Sequence, residues 1–358
     1  MNQETPYGHS RKPLARNFDT RARRRHLGRT RISGLAGGKA RQNHPRGGRF
    51  AALAALTVMA LAATTGVGHA ADGFAPNQSW TSNPYYGSRE TSFADVTGDG
   101  RADAIVVNND RVIVRRSTGR GFAPNESWTS NPYYGSRGTY FADVTGDGRA
   151  DAIVVNNDRV IVRRSTGRGF APNESWTSNP YYGSRETSFA DVTGDRRADA
   201  IVVNNDKVTV RRSTGRGFAP NESWTSNPYY GSRGTYFADV TGDRRADAIV
   251  VNNDKVIVRR STGRGFAPNE SWTSNPYYGS RETSFADVTG DRRADAIVVN
   301  NDKVTVRRST GRGFAPNQSW TSNPYYGSRG TYFADVTGDR RADAIVVNND
   351  KITVRRSR

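Results

Sequence analysis

Cysteine is absent from the chain, and all four histidines and both methionines lie in its N-terminal part, the last of them being His69. The rest of the chain therefore offers no disulfide, no thiolate or imidazole metal ligand and no nucleophile–histidine pair. These absences exclude most zinc chemistry and most hydrolase triads. An exported protein without disulfides is typical of bacterial secreted proteins large enough to be held together by their core.

The N-terminal segment 1–70 has the three parts of a secretory signal peptide. Residues 1–49 carry thirteen Lys and Arg against two acidic residues, residues 50–68 are apolar and uncharged, and Gly68-His69-Ala70 places small residues at −3 and −1 of a cleavage point. We therefore predict a signal peptide with a long basic n-region over 1–70 and a mature protein over 71–358. The long n-region leaves open whether translation starts at Met1 or downstream. An uncleaved anchor is the alternative, since the apolar run is near the lower length limit for a spanning helix.

The signal peptide predicts a secreted, extracellular protein that has no membrane contact after cleavage. Without residues 1–70 the chain has 40 Lys and Arg against 32 Asp and Glu, a net charge of +8 instead of +19. This excess is spread evenly through the sequence as arginine, so we predict no nucleic-acid partner. Whether this charge keeps the protein at the cell wall is left open.

From Gly73 the sequence consists of six near-identical units that follow one another at a fixed period: 73–120, 121–168, 169–216, 217–264, 265–312 and a shortened 313–358. In the second unit, strands are predicted over 139–144, 150–156, 160–164 and 170–176, and Pro172 confines the last of them to an edge. Tight turns separate the strands and no segment has helical periodicity. Four antiparallel strands per repeat predict an all-β, six-bladed β-propeller.

The two ends of the repeat region predict how the ring closes. Residues 73–80 read as a fourth strand, whereas the last unit ends after its third strand. Pairing these two segments would complete the sixth blade and remove both free edges. We expect a monomer, with a ring built from more than one chain as the alternative.

The sequence also repeats with a second period, which spans two units. Units one, three and five carry Glu90, Glu186 and Glu282, where units two, four and six have glycine followed two residues later by Tyr140, Tyr236 and Tyr332. This predicts pseudo-threefold symmetry and disfavours a single specialised active site. We predict that the protein is not an enzyme; a hydrolase using these glutamates is the weakest alternative.

Each unit also contains a nine-residue acidic loop, which in the first unit is Asp95-Val96-Thr97-Gly98-Asp99-Gly100-Arg101-Ala102-Asp103. Oxygen side chains fall at positions 1, 3, 5 and 9, and position 6 is a glycine suited to positive φ. This is the spacing of a short calcium loop. The alternative is six metal-free turns in which aspartate accepts hydrogen bonds from backbone amides.

With this motif and the strands around it, residues 73–358 resemble the FG-GAP/VCBS repeat family, whose members form integrin-α-like propellers with calcium between the first two strands of a blade. The resemblance implies calcium as the cofactor, with the carbonyl of the arginine at position 7 as one ligand. Carried across to the six units, the implied ligands are Asp95, Thr97, Asp99, Arg101, Asp103, Asp143, Thr145, Asp147, Arg149, Asp151, Asp191, Thr193, Asp195, Asp199, Asp239, Thr241, Asp243, Asp247, Asp287, Thr289, Asp291, Asp295, Asp335, Thr337, Asp339 and Asp343.

Two departures from the family pattern weaken this expectation. Threonine at position 3 lowers the ligand charge, and units three to six have Arg196, Arg244, Arg292 and Arg340 at position 6. A side chain at positive φ costs on the order of 1 kcal/mol, and its charge repels a cation. We therefore expect the first two loops to bind calcium best, with modest affinity.

The loop Trp-Thr-Ser-Asn-Pro-Tyr-Tyr-Gly-Ser-Arg joins consecutive blades on the face opposite the acidic loops. Tryptophan and one tyrosine per unit are expected to pack between blades. The second tyrosine either covers the rim or stacks on sugar rings, and the predicted ligand-binding residues are Tyr86, Tyr134, Tyr182, Tyr230, Tyr278 and Tyr326. We predict a lectin-like module for a glycan or cell-surface polymer; a protein adhesion or scaffold propeller is the alternative. A fungal lectin of similar fold binds sugars between its blades.

Overall fold

A computed structural model of the protein describes residues 73–358, except Ser226 and Ser322. The described chain forms six four-stranded antiparallel sheets, which confirms the predicted six-bladed propeller. The predicted signal peptide lies outside the described residues and stays a prediction. In residues 73–358, those two serines aside, no helix is long and apolar enough to cross a membrane.

Each blade has the same strand order, from the axis of the ring to its edge. The first strands are β2 (Glu90–Ala94), β6 (Gly138–Ala142), β10 (Glu186–Ala190), β14 (Gly234–Ala238), β18 (Glu282–Ala286) and β22 (Gly330–Ala334). The second strands are β3 (Asp103–Val107), β7 (Asp151–Val155), β11 (Asp199–Val203), β15 (Asp247–Val251), β19 (Asp295–Val299) and β23 (Asp343–Val347).

The third and fourth strands complete each blade towards the outer edge of the ring. The third strands are β4 (Val112–Arg115), β8 (Val160–Arg163), β12 (Val208–Arg211), β16 (Val256–Arg259), β20 (Val304–Arg307) and β24 (Ile352–Arg355). The fourth strands are β5 (Glu126–Ser127), β9 (Glu174–Ser175), β13 (Glu222–Ser223), β17 (Glu270–Ser271), β21 (Gln318–Ser319) and, from the start of the described chain, β1 (Gln78–Ser79).

The ring closes as the repeat ends predict. Strand β1 pairs antiparallel with β24, with Gln78 opposite Val354 and Ser79 opposite Thr353. The amide of Ala75 adds a hydrogen bond of 2.8 Å to the carbonyl of Arg356. Neighbouring first strands contact one another all the way round, including β2 with β22, so the six blades surround a common axis.

The core lies between adjacent blades because both faces of every second strand are covered. All five residues of β3 are buried, as the unbroken apolar run in the sequence predicts. Between blades one and two, Ile105 and Val107 of β3 belong to one buried cluster with Ala150, Ala152 and Val154 of the next blade. Five further clusters of equivalent residues fill the other interfaces, with Ile352 in place of a valine in one of them.

The fourth strand is shorter than the sequence predicts. A strand was expected over 170–176, but β9 has two residues, and only an isolated bridge joins Phe170 to Ser165 before it. Pro172 lies between these two contacts and has no N–H to donate to the neighbouring strand. Further backbone hydrogen bonds on either side of Pro172, from the amides of Ala171 and Trp176, hold this segment to the third strand.

The antiparallel order places the connections on two opposite faces. The aromatic loops and the Asn-Asn-Asp turns share one face, called the rim face here: the amide of Ser88 donates to the Asn108 side chain at 3.0 Å. The acidic loops and the Ser-Thr-Gly-Arg-Gly turns share the other, called the Asp-loop face: Arg101 Nε donates to the carbonyl of Ser117 at 3.2 Å.

Candidate functional site

In each aromatic loop the tryptophan and the first tyrosine are structural. Trp128 and Tyr133 are 5% and 4% exposed, and the Trp128 ring meets Phe170 edge-on with centroids 5.0 Å apart. The Tyr133 hydroxyl lies 2.9 Å from the carbonyl of Ala152 and 3.3 Å from that of Ile161. The expectation that the tryptophan and one tyrosine pack between blades is confirmed.

The second tyrosine lies on the rim face in a unit with an arginine and an asparagine. The Arg89 guanidinium carbon is 4.4 Å from the centre of the Tyr134 ring, close enough for a cation–π interaction. Arg89 Nε also donates to Asn109 Oδ1 at 2.6 Å, and Arg89 Nη2 reaches the Tyr134 hydroxyl at 3.5 Å. These tyrosines are therefore held in place rather than free to rotate.

The same stacking occurs at all six blade junctions. The arginine comes from the start of a first strand, and the tyrosine comes from the loop that leads into the next blade. The pairs are Arg89 with Tyr134, Arg137 with Tyr182, Arg185 with Tyr230, Arg233 with Tyr278, Arg281 with Tyr326 and Arg329 with Tyr86. The last pair spans the closure of the ring.

A cleft of about 390 Å³ lies on the rim face of blade six, between the aromatic loop and the outer strands. Tyr326 lines it together with amide, hydroxyl and ammonium groups. The full lining is Asn77, Ser79, Pro324, Tyr325, Tyr326, Val346, Asn348, Lys351 and Thr353. The predicted ligand-binding residue Tyr326 thus lines an open cleft that also contains several hydrogen-bonding groups.

The positions that correspond to this cleft differ between blades. Blades three, five and six have a threonine in the third strand (Thr209, Thr305 and Thr353), where blades one, two and four have an isoleucine (Ile113, Ile161 and Ile257). These positions were not among the predicted ligand-binding residues, although the sequence shows that they differ between the units. Thr209 and Thr305 are buried, whereas Thr353 lines the blade-six cleft, where the corresponding isoleucines have only hydrocarbon.

The glutamates of the double repeat lie at the start of the first strands, on the rim face. Surrounding protein partly desolvates the carboxyl groups and raises the pKa of Glu90 and Glu282 to about 7, while both side chains stay open to solvent. The Tyr332 ring lies against Phe93 of the next blade, with centroids 5.1 Å apart. Because water reaches these glutamates, the shift alone does not indicate a catalytic role.

In the acidic loop, every carboxylate accepts hydrogen bonds from the protein itself. Asp95 accepts from the amides of Gly98 at 2.6 Å and Gly100 at 2.8 Å. Asp99 forms an ion pair with the guanidinium of Arg101. The six loops share this arrangement of the first aspartate, with Arg196, Arg244, Arg292 and Arg340 supplying the position-6 amide in the later repeats.

The ninth residue of the loop is buried. Asp103 has no exposed surface, and its two oxygens accept from the amides of Val96 at 3.1 Å and Ser117 at 2.8 Å. Burial raises the pKa of Asp103 to about 6, and the two amide hydrogen bonds limit the rise. This carboxylate therefore joins the acidic loop to the turn beyond the third strand.

The acidic loops also tie neighbouring blades together. The amide of Ala150 in blade two donates to the carbonyl of Asp95 in blade one at 2.7 Å, and Ser165 Oγ donates to the carbonyl of Val96 at 2.5 Å. Equivalent contacts from Ala102 to Asp335 and from Ser117 to Val336 join blade one to blade six. The loops thus form part of the contact between neighbouring blades.

The acidic loop contains donor types that suit calcium. Among the described residues, no group of three acidic or histidine side chains could hold a metal ion. For the three carboxylates to converge, Asp99 would have to leave Arg101. The predicted ligands are therefore placed in one loop by the fold without being brought around one point.

The position-6 residues have the backbone conformation that the sequence predicts. Gly100 and Gly148 have φ of +81° and +82°, and the four arginines at this position have φ of 69–70°. These arginines are the non-glycine residues with positive φ among those described. Their side chains are exposed.

A closed six-bladed propeller with an acidic loop after every first strand defines the class of protein. The FG-GAP-like repeat model matches residues 95–154, 143–202, 191–250, 239–298 and 287–346, which together exceed half of the chain. The chain therefore belongs to the FG-GAP-like repeat family, as its resemblance implies. None of the curated proteins compared with it matches its sequence.

Solved structures include propellers that are similar to this chain. One is a lectin of Agrocybe aegerita described as specifically recognising non-reducing terminal N-acetylglucosamine; it is 24% identical with a TM-score of 0.55, over 71% of this chain and 73% of that chain. Another is a Tc holotoxin pore of Photorhabdus luminescens, 17% identical with a TM-score of 0.61 over 79% of this chain. The match spans only 14% of the toxin chain. Both likenesses concern the fold.

Proposed function

We propose that the protein is a secreted, non-enzymatic binding module that recognises a carbohydrate or cell-surface polymer at its rim face. The observation that carries the proposal is the blade-six cleft, where Tyr326 is held by Arg281 beside Asn348 and Thr353. The ligand class follows from this chemistry, since an aromatic ring packs against the apolar face of a sugar while amides and hydroxyls bind its hydroxyl groups.

The repetition of the Arg–Tyr stack at six blade junctions supports a polymeric or multiply branched ligand. Several such tyrosines on one face can contact several sugar residues of one ligand, and linked contacts raise the overall affinity well above that of each. The lectin of similar fold supports testing glycans that end in N-acetylglucosamine first, because that sugar is named as its ligand.

The isoleucine blades provide the matched substitution for a test. In the variant T353I, the blade-six cleft acquires the residue that blades one, two and four already have at this position, so the fold should be kept. We expect the variant to lose at least tenfold in affinity for the best glycan found on an array, measured by titration calorimetry. The reciprocal variant I113T should gain affinity.

A second pair of variants tests the aromatic platform. Tyr326→Ala removes the ring that lines the cleft, whereas Tyr326→Phe keeps the ring and removes only the hydroxyl. The first should weaken glycan binding in the blade-six cleft much more than the second. A glycan array without signal, combined with retention of matrix proteins by the wild type, would contradict the glycan proposal and favour the adhesion alternative.

We further propose that calcium binds to the first two acidic loops, where Gly100 and Gly148 bring no positive charge. Binding requires the Arg101–Asp99 ion pair to open, and that cost supports a weak site suited to extracellular calcium concentrations. The role of the ion would be to stabilise the loop, because the binding cleft lies on the opposite face.

A further inference from the structure

The side chains of the four arginines at position 6 have no evident structural role. Arg196, Arg244, Arg292 and Arg340 are exposed, and within the described part of the chain their side chains form no hydrogen bond or ion pair. Each adopts φ near +70°, where an L side chain is strained and glycine is not. Four consecutive blades thus expose a guanidinium at a conformational cost.

A second set of exposed arginines lies on the same face. Arg216, Arg264 and Arg312 occupy the turns after the third strands, and the described structure likewise gives their side chains no partner. A Cβ on Gly263, next to Arg264, would be 3.1 Å from the carbonyl of Thr193 in the preceding blade's acidic loop. Each such turn therefore lies against the acidic loop of the preceding blade, and we call these seven arginines the arginine arc.

The acidic residues of this face are engaged with the protein. Asp191 accepts from the amides of Gly194 and Arg196 at 2.6 and 2.8 Å, and Asp195 pairs with Arg197 at 2.5 Å. Asp199 is fully buried. The groups left for a partner in blades three to six are thus guanidinium groups, and each acidic loop there carries one more positive charge than the loops with Gly100 and Gly148.

We propose that the arginine arc binds a linear, phosphate-bearing polyanion. Guanidinium groups form paired, charge-assisted hydrogen bonds with phosphate, and a row of them on a rigid ring suits a polymer with regularly spaced charges. Nucleic acid is less suited, because binding of unpaired bases uses exposed aromatic rings. The one exposed large hydrophobic residue among those described, Tyr230, belongs to the opposite face. The arc is separate from the rim-face cleft, so the two sites are tested independently.

The test uses inorganic polyphosphate as the probe and the full chain in all variants, so that residues 1–72 contribute equally to every measurement. In R196G/R244G/R292G/R340G the four loops acquire the glycine of the first two repeats. We expect at least a tenfold loss of polyphosphate affinity, and a slope of log Kd against log salt that is lower by about three, as for the loss of four contacts to a single-stranded polyanion. The reverse variant G100R/G148R should bind more tightly than the wild type.

Folding and binding effects are distinguishable, since the glycine variant should melt no lower than the wild type. Equal affinity of wild type and glycine variant for polyphosphate would overturn the proposal. Single-stranded DNA of matched charge serves as the second probe. Binding of DNA as tight as that of polyphosphate, lost in the same variant, would overturn the assignment to a phosphate polymer and point to nucleic acid. Loss of polyphosphate binding with glycan binding unchanged would support two independent faces.

Discussion

Replacing Gly100 with arginine should destabilise the protein, and replacing Arg196 with glycine should stabilise it by a similar amount. Both residues occupy position 6 of an acidic loop with φ between about +69° and +81°. A Cβ added at Gly100 would meet no atom within 4 Å, so steric clash with neighbours does not contribute. The difference in the free energy of unfolding therefore comes from the backbone conformation alone.

Two opposing effects set the size of this difference in the free energy of unfolding. A left-handed conformation costs an L residue about 1–2 kcal/mol. Glycine, however, loses more conformational freedom on folding. This effect stabilises the arginine form by about 0.4–1 kcal/mol relative to the glycine form. We expect a net effect of about 0.5–1 kcal/mol per site. The four arginine sites lie in different blades, so R196G/R244G/R292G/R340G should gain about 2–4 kcal/mol if the effects add.

Thermal and chemical unfolding measure this effect. For a domain of this size, about 1 kcal/mol corresponds to about 2 °C in Tm, so the quadruple variant should melt about 4–8 °C higher. Gly98→Ala is the contrast, because a Cβ there would lie 2.8 Å from Cγ of Arg149 and must displace it. If G100R left the stability unchanged and the four glycine substitutions gave no gain, the assignment of strain to position 6 would be wrong.

Calcium at ten times its dissociation constant should add about 1.4 kcal/mol of stability per occupied loop, seen as a rise in Tm over the chelated protein. Stability should also depend on pH, because burial raises the pKa of Asp103 and three of its equivalents from 3.8 to about 6, and that of Asp295 and Asp343 to about 7. The folded state then binds protons that the unfolded state has lost, so the free energy of unfolding should fall as pH rises from about 4 to about 7. Tyr133→Phe should cost about 1–2 kcal/mol, because the buried carbonyl of Ala152 loses its donor.

Each of these expectations has a control. In the variant G100R/G148R, calcium should no longer raise Tm. The calcium proposal would be wrong if the wild type melted at the same temperature with calcium and with chelator. Flat stability between about pH 4 and 7 would show that the buried aspartates keep their ordinary pKa. Tyr134→Phe should leave stability nearly unchanged, since Tyr134 lies at the surface, and a loss as large as that of Tyr133→Phe would contradict the division of roles between the two tyrosines.

Most of the fold could be predicted from the sequence because the same weak pattern of strands and turns recurs six times. A single stretch such as Asp151–Val155 does not show whether it is a strand or part of a buried helix. Its recurrence at a fixed spacing between the same turns requires one unit that stacks on copies of itself. The fourth strand was predicted less well, since pairing along residues 170–176 depends on which amides the neighbouring strand can reach.

The candidate site was predicted only in part. The tyrosines of the rim could be singled out by residue type, but their partners could not: Arg89 and Tyr134 are far apart in the sequence and meet only because one blade stacks against the next. Likewise, the spacing of Asp95, Asp99 and Asp103 in sequence does not determine whether the carboxylates point at a common ion or at the amides around them.

The amino-acid sequence by itself determined the number of blades, the covering of both faces of the second strands, the closure of the ring by its two ends and the positive φ at position 6. These follow from local pattern, from repetition and from the steric limits on a residue such as Arg196. The tertiary structure alone decided that the acidic loops fasten neighbouring blades through the carbonyls of Asp95 and Val96, and that Thr353 faces a cleft beside Tyr326. Such contacts join residues from different turns or different blades, and their distances exist only once the ring has closed.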